Sequence, residues 1–207
     1  MHEKTSFGQV ALIGFGRIAE VLYAPYVRQR FASVAVCEPN PERHVAIRSL
    51  LPGANVVGSL EELGSAPDSG CVALNLVPAP SHAETTRKLL RQSWHVFSEK
   101  PAASSPDEWR SLLGEASRVN RVFVSAPVTP YLPAVERLQR AVRERALGEI
   151  GEIHATFFAA GPARRGYVDE SRRWFFGPDS CVVRDLAPYP VSALVRVAGV
   201  PSEFNWC

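Results

Sequence analysis

The chain has 207 residues, of which 46% are hydrophobic and 21% charged, with a formal net charge of +2; this is an ordinary globular composition with room for one domain and part of a second. The balanced charge, the absence of any bilayer-length apolar run and the mixed polar residues 1–8 argue against a nucleic-acid partner, a membrane span and a signal peptide. Four scattered cysteines (Cys37, Cys71, Cys181, Cys207) form no C-x-x-C pair, so neither a metal site nor a disulfide framework is expected, and the reducing cytoplasm is the expected compartment.

In chain order, short apolar runs alternate with helical segments. Residues 9–13 predict a strand that ends at Gly14, and residues 17–26 a helix. A second strand is expected over 33–37. The helix over 41–51 has Asn40 as its N-cap and Pro41 at its first position. A short strand near 55–57 and a small helix at 60–63 follow. Residues 71–76 read as a buried strand, and Ser81 with Glu84 forms a capping box for a helix to about Gln92. His95–Ser98 is a strand, and Ser105 with Glu108 opens a helix to Val119. Residues 122–125 are a strand and 133–145 a long helix. This alternation predicts an α/β fold over residues 1–127, a Rossmann doubly wound parallel sheet with helices on both faces.

The pattern changes after Gly148. Residues 154–160 predict a longer strand, followed by a loop with Arg164, Arg165, Arg172 and Arg173, then a helix over 189–197. Residues 203–207 read as the start of another strand. Residues 128–207 are therefore expected to form a connecting helix and the beginning of an α+β sheet domain. One strand and one helix cannot form their own core. The segment is expected to serve a homo-oligomer or a partner contact.

Gly14-Phe15-Gly16-Arg17-Ile18-Ala19 is G-x-G-x-x-A, directly between a strand and a helix. That context is what a dinucleotide-binding turn requires. Gly14 permits the tight turn, Gly16 admits a pyrophosphate to the backbone, and Ala19 lets the helix pack on the sheet. Phe15, Arg17 and Ile18 are the intervening residues of the same cradle. The second strand ends in Glu38, placed to accept hydrogen bonds from an adenosine ribose. A carboxylate repels a 2′-phosphate, so Glu38 favours NAD over NADP, while the nearby Arg43 keeps NADP open. A methyltransferase shares the glycines and the second acid. Its first strand usually carries an acid before the glycines, and Val10-Ala11-Leu12-Ile13 has none.

Three lysines, Lys4, Lys88 and Lys100, stand against 20 arginines. Lys100 lies just past an apolar strand, in Glu99-Lys100-Pro101, and Pro101 disfavours helix there. The result is a compact ammonium at a strand's carboxyl end, where open α/β sheets place ligands.

With these motifs in order, the chain resembles the Gfo/Idh/MocA oxidoreductases, the family of glucose–fructose oxidoreductase and inositol dehydrogenase. The matching elements are the first-strand glycines, Val77-Pro78-Ala79-Pro80-Ser81-His82, His95 through Glu99-Lys100-Pro101, and Gly148-Glu149-Ile150-Gly151-Glu152-Ile153. The last runs from Trp174 through Asp185-Leu186-Ala187-Pro188-Tyr189 to Gly199. The resemblance implies hydride transfer between a nicotinamide and a carbinol or carbonyl carbon of a sugar-like or cyclic small molecule. It implies that Lys100 contacts the reacting oxygen, with Asp185 and Tyr189 completing the catalytic set. Tyr189 stands where many members carry histidine. Leu76 and Pro78 line the nicotinamide side, and His82, Glu99 and Lys100 join the cofactor set. The family's glycine run before the catalytic Asp is Asp179-Ser180-Cys181 here, and Ala126–Tyr131 is uncharged where an Asn or Arg is usual. The chain reads as shortened at its carboxyl end. The rival expectation is a degenerate, non-catalytic dinucleotide-binding protein that serves a partner.

Overall fold

The computed structural model describes residues 8–159 and 185–203. They fall into two compact units, residues 1–126 and 127–207. The first is a six-stranded parallel sheet in the order β3-β2-β1-β4-β5-β6. The strands are β1 (Val10–Ile13), β2 (Val34–Cys37), β3 (Asn55–Val57), β4 (Val72–Asn75), β5 (His95–Ser98) and β6 (Phe123–Ser125). Helices α1 (Ala24–Arg30), α2 (His44–Leu50), α3 (Leu60–Leu63), α4 (His82–Arg91) and α5 (Pro106–Arg118) provide the crossovers.

Alternation of side chains splits the core in two. Ala11, Ile13, Ala35, Cys37, Ala73 and Val96 face one layer, with Leu89, Leu90, Trp94 and Leu112. Val10, Leu12 and Val36 face the other, with Phe15, Val27 and Ile47. A strand buried on both faces has no polar side, and all four β1 residues are buried. Trp94 is fully buried, and its indole N–H donates to the Gly64 carbonyl at 3.1 Å. Burying that ring therefore leaves no donor unpaired.

Register aligns the strand ends. Cys37, Ile13, Asn75, Ser98 and Ser125 stand side by side across β2, β1, β4, β5 and β6. The next residues in each chain segment, Glu38, Gly14, Leu76, Glu99 and Ala126, continue the ladder by one bond each, at 2.8–3.0 Å. Sequence neighbours of five strand ends become spatial neighbours along one edge. The order reverses between β1 and β4, which opens a crevice there.

Several local expectations change. The helix after Gly16 contains a π-helical segment, Ala19–Tyr23, before α1. Pro25 has no N–H, and its ring crowds the carbonyl four residues back. The wider turn, closed by Ala24 N–H on the Ala19 carbonyl, accommodates it. Ser81 does not cap α4, because a 3₁₀ turn (Ala79–Ser81) runs into the helix and holds Ser81 in helical geometry. Glu84 instead pairs with Lys88 at 2.9 Å. Ser105 does cap α5, accepting from Glu108 N–H at 3.2 Å.

In the second unit, α6 (Pro133–Arg143) packs with α7 (Pro188–Ala198). The Gln139 amide donates to the Arg196 carbonyl at 2.7 Å, and the Arg196 guanidinium lies 5.7 Å from the Tyr131 ring centre. The strand expected at 154–160 is not formed over its described part, residues 154–159. An isolated apolar run has no ladder to join, and none of the described strands pairs with it. The Arg164 to Arg173 cluster, Trp174, Asp179–Cys181 and residues 204–207 lie outside the described residues. No helix among the described residues is long and apolar enough to cross a membrane.

Candidate functional site

The β1 turn is built for close approach. Gly14 has φ +83°, a conformation that costs a non-glycine residue energy. A Cβ there would lie 3.2 Å from the Val77 backbone and 3.3 Å from the Leu76 carbonyl carbon. The turn therefore nests against the end of β4. At Gly16 the situation is opposite, because a Cβ would meet nothing within 4 Å among the described residues. Open space thus lies beside the amino end of the first helix, whose leading N–H groups have no partner within the helix. That combination suits a pyrophosphate.

Glu38 is 7% exposed and ties the turn together. Its Oε2 accepts Phe15 N–H at 2.7 Å and its Oε1 accepts Asn40 N–H at 3.0 Å. Arg43 grips the same residue from its other side, donating to the Phe15 carbonyl at 2.7 Å. A carboxylate on the N–H and a guanidinium on the C=O pin Phe15 from opposite sides. The charge of Glu38 is thus held at the outer end of β2, one strand away from the glycines. Each carboxylate oxygen retains a second lone pair for a ribose hydroxyl. Its neighbour Cys37 is pushed up to about 11 by burial first and then by Glu38, Glu61 and Glu62. Arg17 is exposed and Ile18 half-buried at the mouth of the cradle. These residues fit a bound dinucleotide.

Across the crevice, Leu76 N–H donates to the Ile13 carbonyl at 2.9 Å, and Pro78 is exposed. Glu99 N–H donates to the Asn75 carbonyl at 2.9 Å, which fixes the start of the Glu99-Lys100-Pro101 turn. The Lys100–Pro101 peptide is cis, and Lys100 is half-buried. Asn75 is fully buried; its amide donates to the His82 carbonyl at 2.9 Å and to Thr86 Oγ1 at 3.0 Å, holding the start of α4 against β4. No sequence motif singles out Asn75, although a polar residue in an otherwise apolar strand is an available signal.

His82 sits behind these loops at 2% exposure. Its Nδ1 is 2.8 Å from the Pro101 carbonyl and its Nε2 is 2.8 Å from the Val77 carbonyl. It links the turn after β4 to the turn after β5 and stays beneath the crevice surface. Burial pushes its pKa below the usual histidine range; the two carbonyls and Glu99 oppose this, and Lys100 adds to it. A neutral imidazole has one N–H for these two carbonyls, so they favour the cation, but burial outweighs them and keeps the folded-state pKa below that of the unfolded chain. The unfolded state binds more protons below about pH 6.5, so stability falls on acidification. Thermal unfolding measured from pH 7.5 to 5.5 is expected to show a falling midpoint, and His82→Asn is expected to flatten the slope across that window. An unchanged slope removes His82 as its origin.

In the second unit, Tyr189 is in the first turn of α7 and Asp185 lies just ahead of that helix, both half-buried. The Tyr189 ring stacks on Phe157 with centres 4.8 Å apart and planes 10° from parallel.

Comparison with known proteins agrees with this architecture. Residues 9–127 match the model of the GFO_IDH_MocA family, described as an oxidoreductase family with an NAD-binding Rossmann fold. The chain is 26% identical to trans-1,2-dihydrobenzene-1,2-diol dehydrogenase of Xenopus laevis over 64% of its length and 39% of that protein. It is 27% identical to D-glucoside 3-dehydrogenase of Escherichia coli (strain K12) over 69% of its length and 41% of that enzyme. The chain thus spans about two fifths of these relatives (39% and 41%). A solved structure of a putative NADPH-dependent oxidoreductase from Desulfitobacterium hafniense DCB-2 superimposes with a TM-score of 0.76 at 19% identity, covering 92% of this chain and 55% of that one. The glycine turn, the parallel sheet and the family match over residues 9–127 place this chain in the Gfo/Idh/MocA oxidoreductase family.

Proposed function

We propose that the protein is a nicotinamide-dependent oxidoreductase acting on a secondary alcohol or ketone of a small ring. One observation carries the reading. The register lines up Glu38, the Gly14–Gly16 turn, Leu76 and Glu99-Lys100 along one sheet edge at the point where strand order reverses. Residues 1–127 form the dinucleotide domain and residues 128–207 the connecting helix and substrate segment. Gly14, Phe15, Gly16, Arg17 and Ile18 hold the pyrophosphate, Glu38 the adenosine ribose, and Leu76 and Pro78 the nicotinamide side, with His82 holding that wall from behind.

A bound nicotinamide supplies hydride exchange with the substrate carbon. The protein's own residues handle the oxygen. Lys100 donates a hydrogen bond to it, which stabilises negative charge as it develops there. The family resemblance assigns proton exchange to Tyr189 and substrate orientation to Asp185. The Phe157 stack favours the observed orientation of the Tyr189 ring. The dihydrodiol and glucoside in the names of the two relatives are both rings bearing secondary alcohols, which supports this substrate class. The uncharged Ala126–Tyr131 segment favours the less polar of such rings.

Glu38 favours NAD, while Arg43, fixed beside Phe15, keeps NADP within reach. Calorimetric titration is expected to show NADH binding about tenfold tighter than NADPH, the effect of one repelled phosphate partly offset by one guanidinium. Binding of neither overturns the proposal. A rival reading, a non-catalytic dinucleotide-binding protein that serves a partner, draws on one observation. Residues 151–159 carry no strand and leave Phe158 91% exposed, which suits a contact with a second copy or another chain.

A further inference from the structure

The π-helical segment Ala19–Tyr23 reaches across the sheet edge to the end of β5. Tyr23 closes that segment, directly after the pyrophosphate turn. Its hydroxyl donates to Glu99 Oε1 at 2.6 Å, bridging 76 residues of sequence. Its ring leans on Phe97 of β5, with centres 6.3 Å apart and planes at 55°. The second Glu99 oxygen, Oε2, accepts the backbone N–H of Lys100 at 3.2 Å. Glu99 itself is anchored by its own N–H on the Asn75 carbonyl. One carboxylate therefore joins the helix after the glycine turn to the residue that carries the ammonium.

A π turn inserts an extra residue, shifts the facing of every later helix position and is frequent at functional sites. Pro25 accounts for the turn being wide; nothing in that requirement calls for a tyrosine at position 23. A hydroxyl-to-carboxylate bond of this length is of the strong, charge-assisted kind. It crosses from the β1 crossover to the β5 end, spanning the crevice between β1 and β4. The charges of Glu99 and Lys100 both act on His82, in opposite directions.

We propose that Tyr23 is a positioning residue for Lys100. Acting through Glu99, it sets the Lys100 backbone and couples the orientation of the Lys100 ammonium to the helix that cradles the cofactor. The catalytic role of Lys100 is the reading proposed above, and this inference rests on it. The physical link from Tyr23 to Lys100 is testable without any substrate.

The scarcity of lysine provides the probe. Reductive methylation with ¹³C-formaldehyde converts Lys4, Lys88 and Lys100 to dimethylamines that keep their charge, and the spectrum holds three side-chain signals and the amino terminus. Lys100→Arg identifies the Lys100 signal. Tyr23→Phe keeps the ring on Phe97 and removes only the hydroxyl. It is expected to move the Lys100 signal while Lys88, which pairs with Glu84, and Lys4 stay in place. Glu99→Gln is expected to move the same signal. NADH is expected to shift the Lys100 signal in the natural sequence and to shift it less in Tyr23→Phe, with NADH affinity within about twofold, since the hydroxyl is engaged with Glu99. A Lys100 signal identical in Tyr23→Phe and the natural sequence overturns the inference, and a lowered thermal midpoint with that signal unmoved makes the bond merely structural. Absence of NADH binding would count against the proposed function, while the ligand-free comparison would still decide the link.

Discussion

Lys100→Ala is expected to lower turnover of a ring alcohol or ketone by about 10²–10⁴-fold, with NADH affinity changed less than about threefold. The magnitude comes from where the ammonium sits. Lys100 is half-buried in a turn that starts on a β-ladder bond, Glu99 N–H on the Asn75 carbonyl. A donor in a partly dry site stabilises developing oxygen charge far more than one in water. The proposed pyrophosphate cradle draws on β1 and β2 rather than on Lys100, so affinity and turnover are expected to separate. Lys100→Arg restores the charge but not the compact shape, and is expected to recover only a small part of the loss. Steady-state kinetics beside calorimetric titration measures both arms. Turnover unaffected by Lys100→Ala would remove Lys100 from the mechanism, whereas cofactor binding without turnover in the natural sequence would favour the non-catalytic reading.

The second large effect separates two glycines that look alike in sequence. Gly16→Val is expected to weaken NADH binding by at least about 100-fold while moving the thermal midpoint by less than about 2 °C. The added side chain enters space where no described residue would come within 4 Å of the Cβ, so the fold is expected to tolerate it and the ligand is not. Gly14→Ala is expected to act on the fold itself. Its φ of +83° and the 3.2 Å approach to the Val77 backbone combine strain with a clash that backbone cannot relieve by rotating a side chain. The cost is about 2–4 kcal/mol, or about 5–10 °C in the thermal midpoint. Differential scanning fluorimetry with and without NADH distinguishes the two. A Gly16→Val protein that binds NADH normally would place the pyrophosphate elsewhere.

Much of the first unit was legible residue by residue. The strand at 10–13 and those near 34–37, 72–75, 95–98 and 123–125 follow from apolar runs of strand length, because a parallel strand covered on both faces has no polar side to blur the signal. Asn40 and Ser105 were readable as caps because each is a short polar residue ahead of a helix, and both accept the expected N–H. Ser81 looked the same and is not a cap. The preceding Pro80 allows a 3₁₀ turn that feeds the helix, and no local rule decides between the two outcomes. The run at 154–159 has the composition of a strand, but a strand is defined by its neighbours, and none of the described strands lies beside it.

The glycine turn, Glu38 and Lys100 could be named as candidate site residues from sequence because each obeys a rule confined to a few adjacent positions: a tight turn, an acid ending a strand, a lysine before proline. Tyr23, Asn75 and the Arg43 grip on Phe15 could not. Tyr23 meets Glu99 only because β1 and β5 flank β4 in the sheet, and Arg43 meets Phe15 only because β2 lies beside β1. Local sequence set which segments are strands and where each must turn, since those depend on side-chain period and backbone sterics within a few residues. Tertiary structure alone decided which strand ends share an edge, and so which distant hydroxyls, carboxylates and ammonium groups come within hydrogen-bond reach.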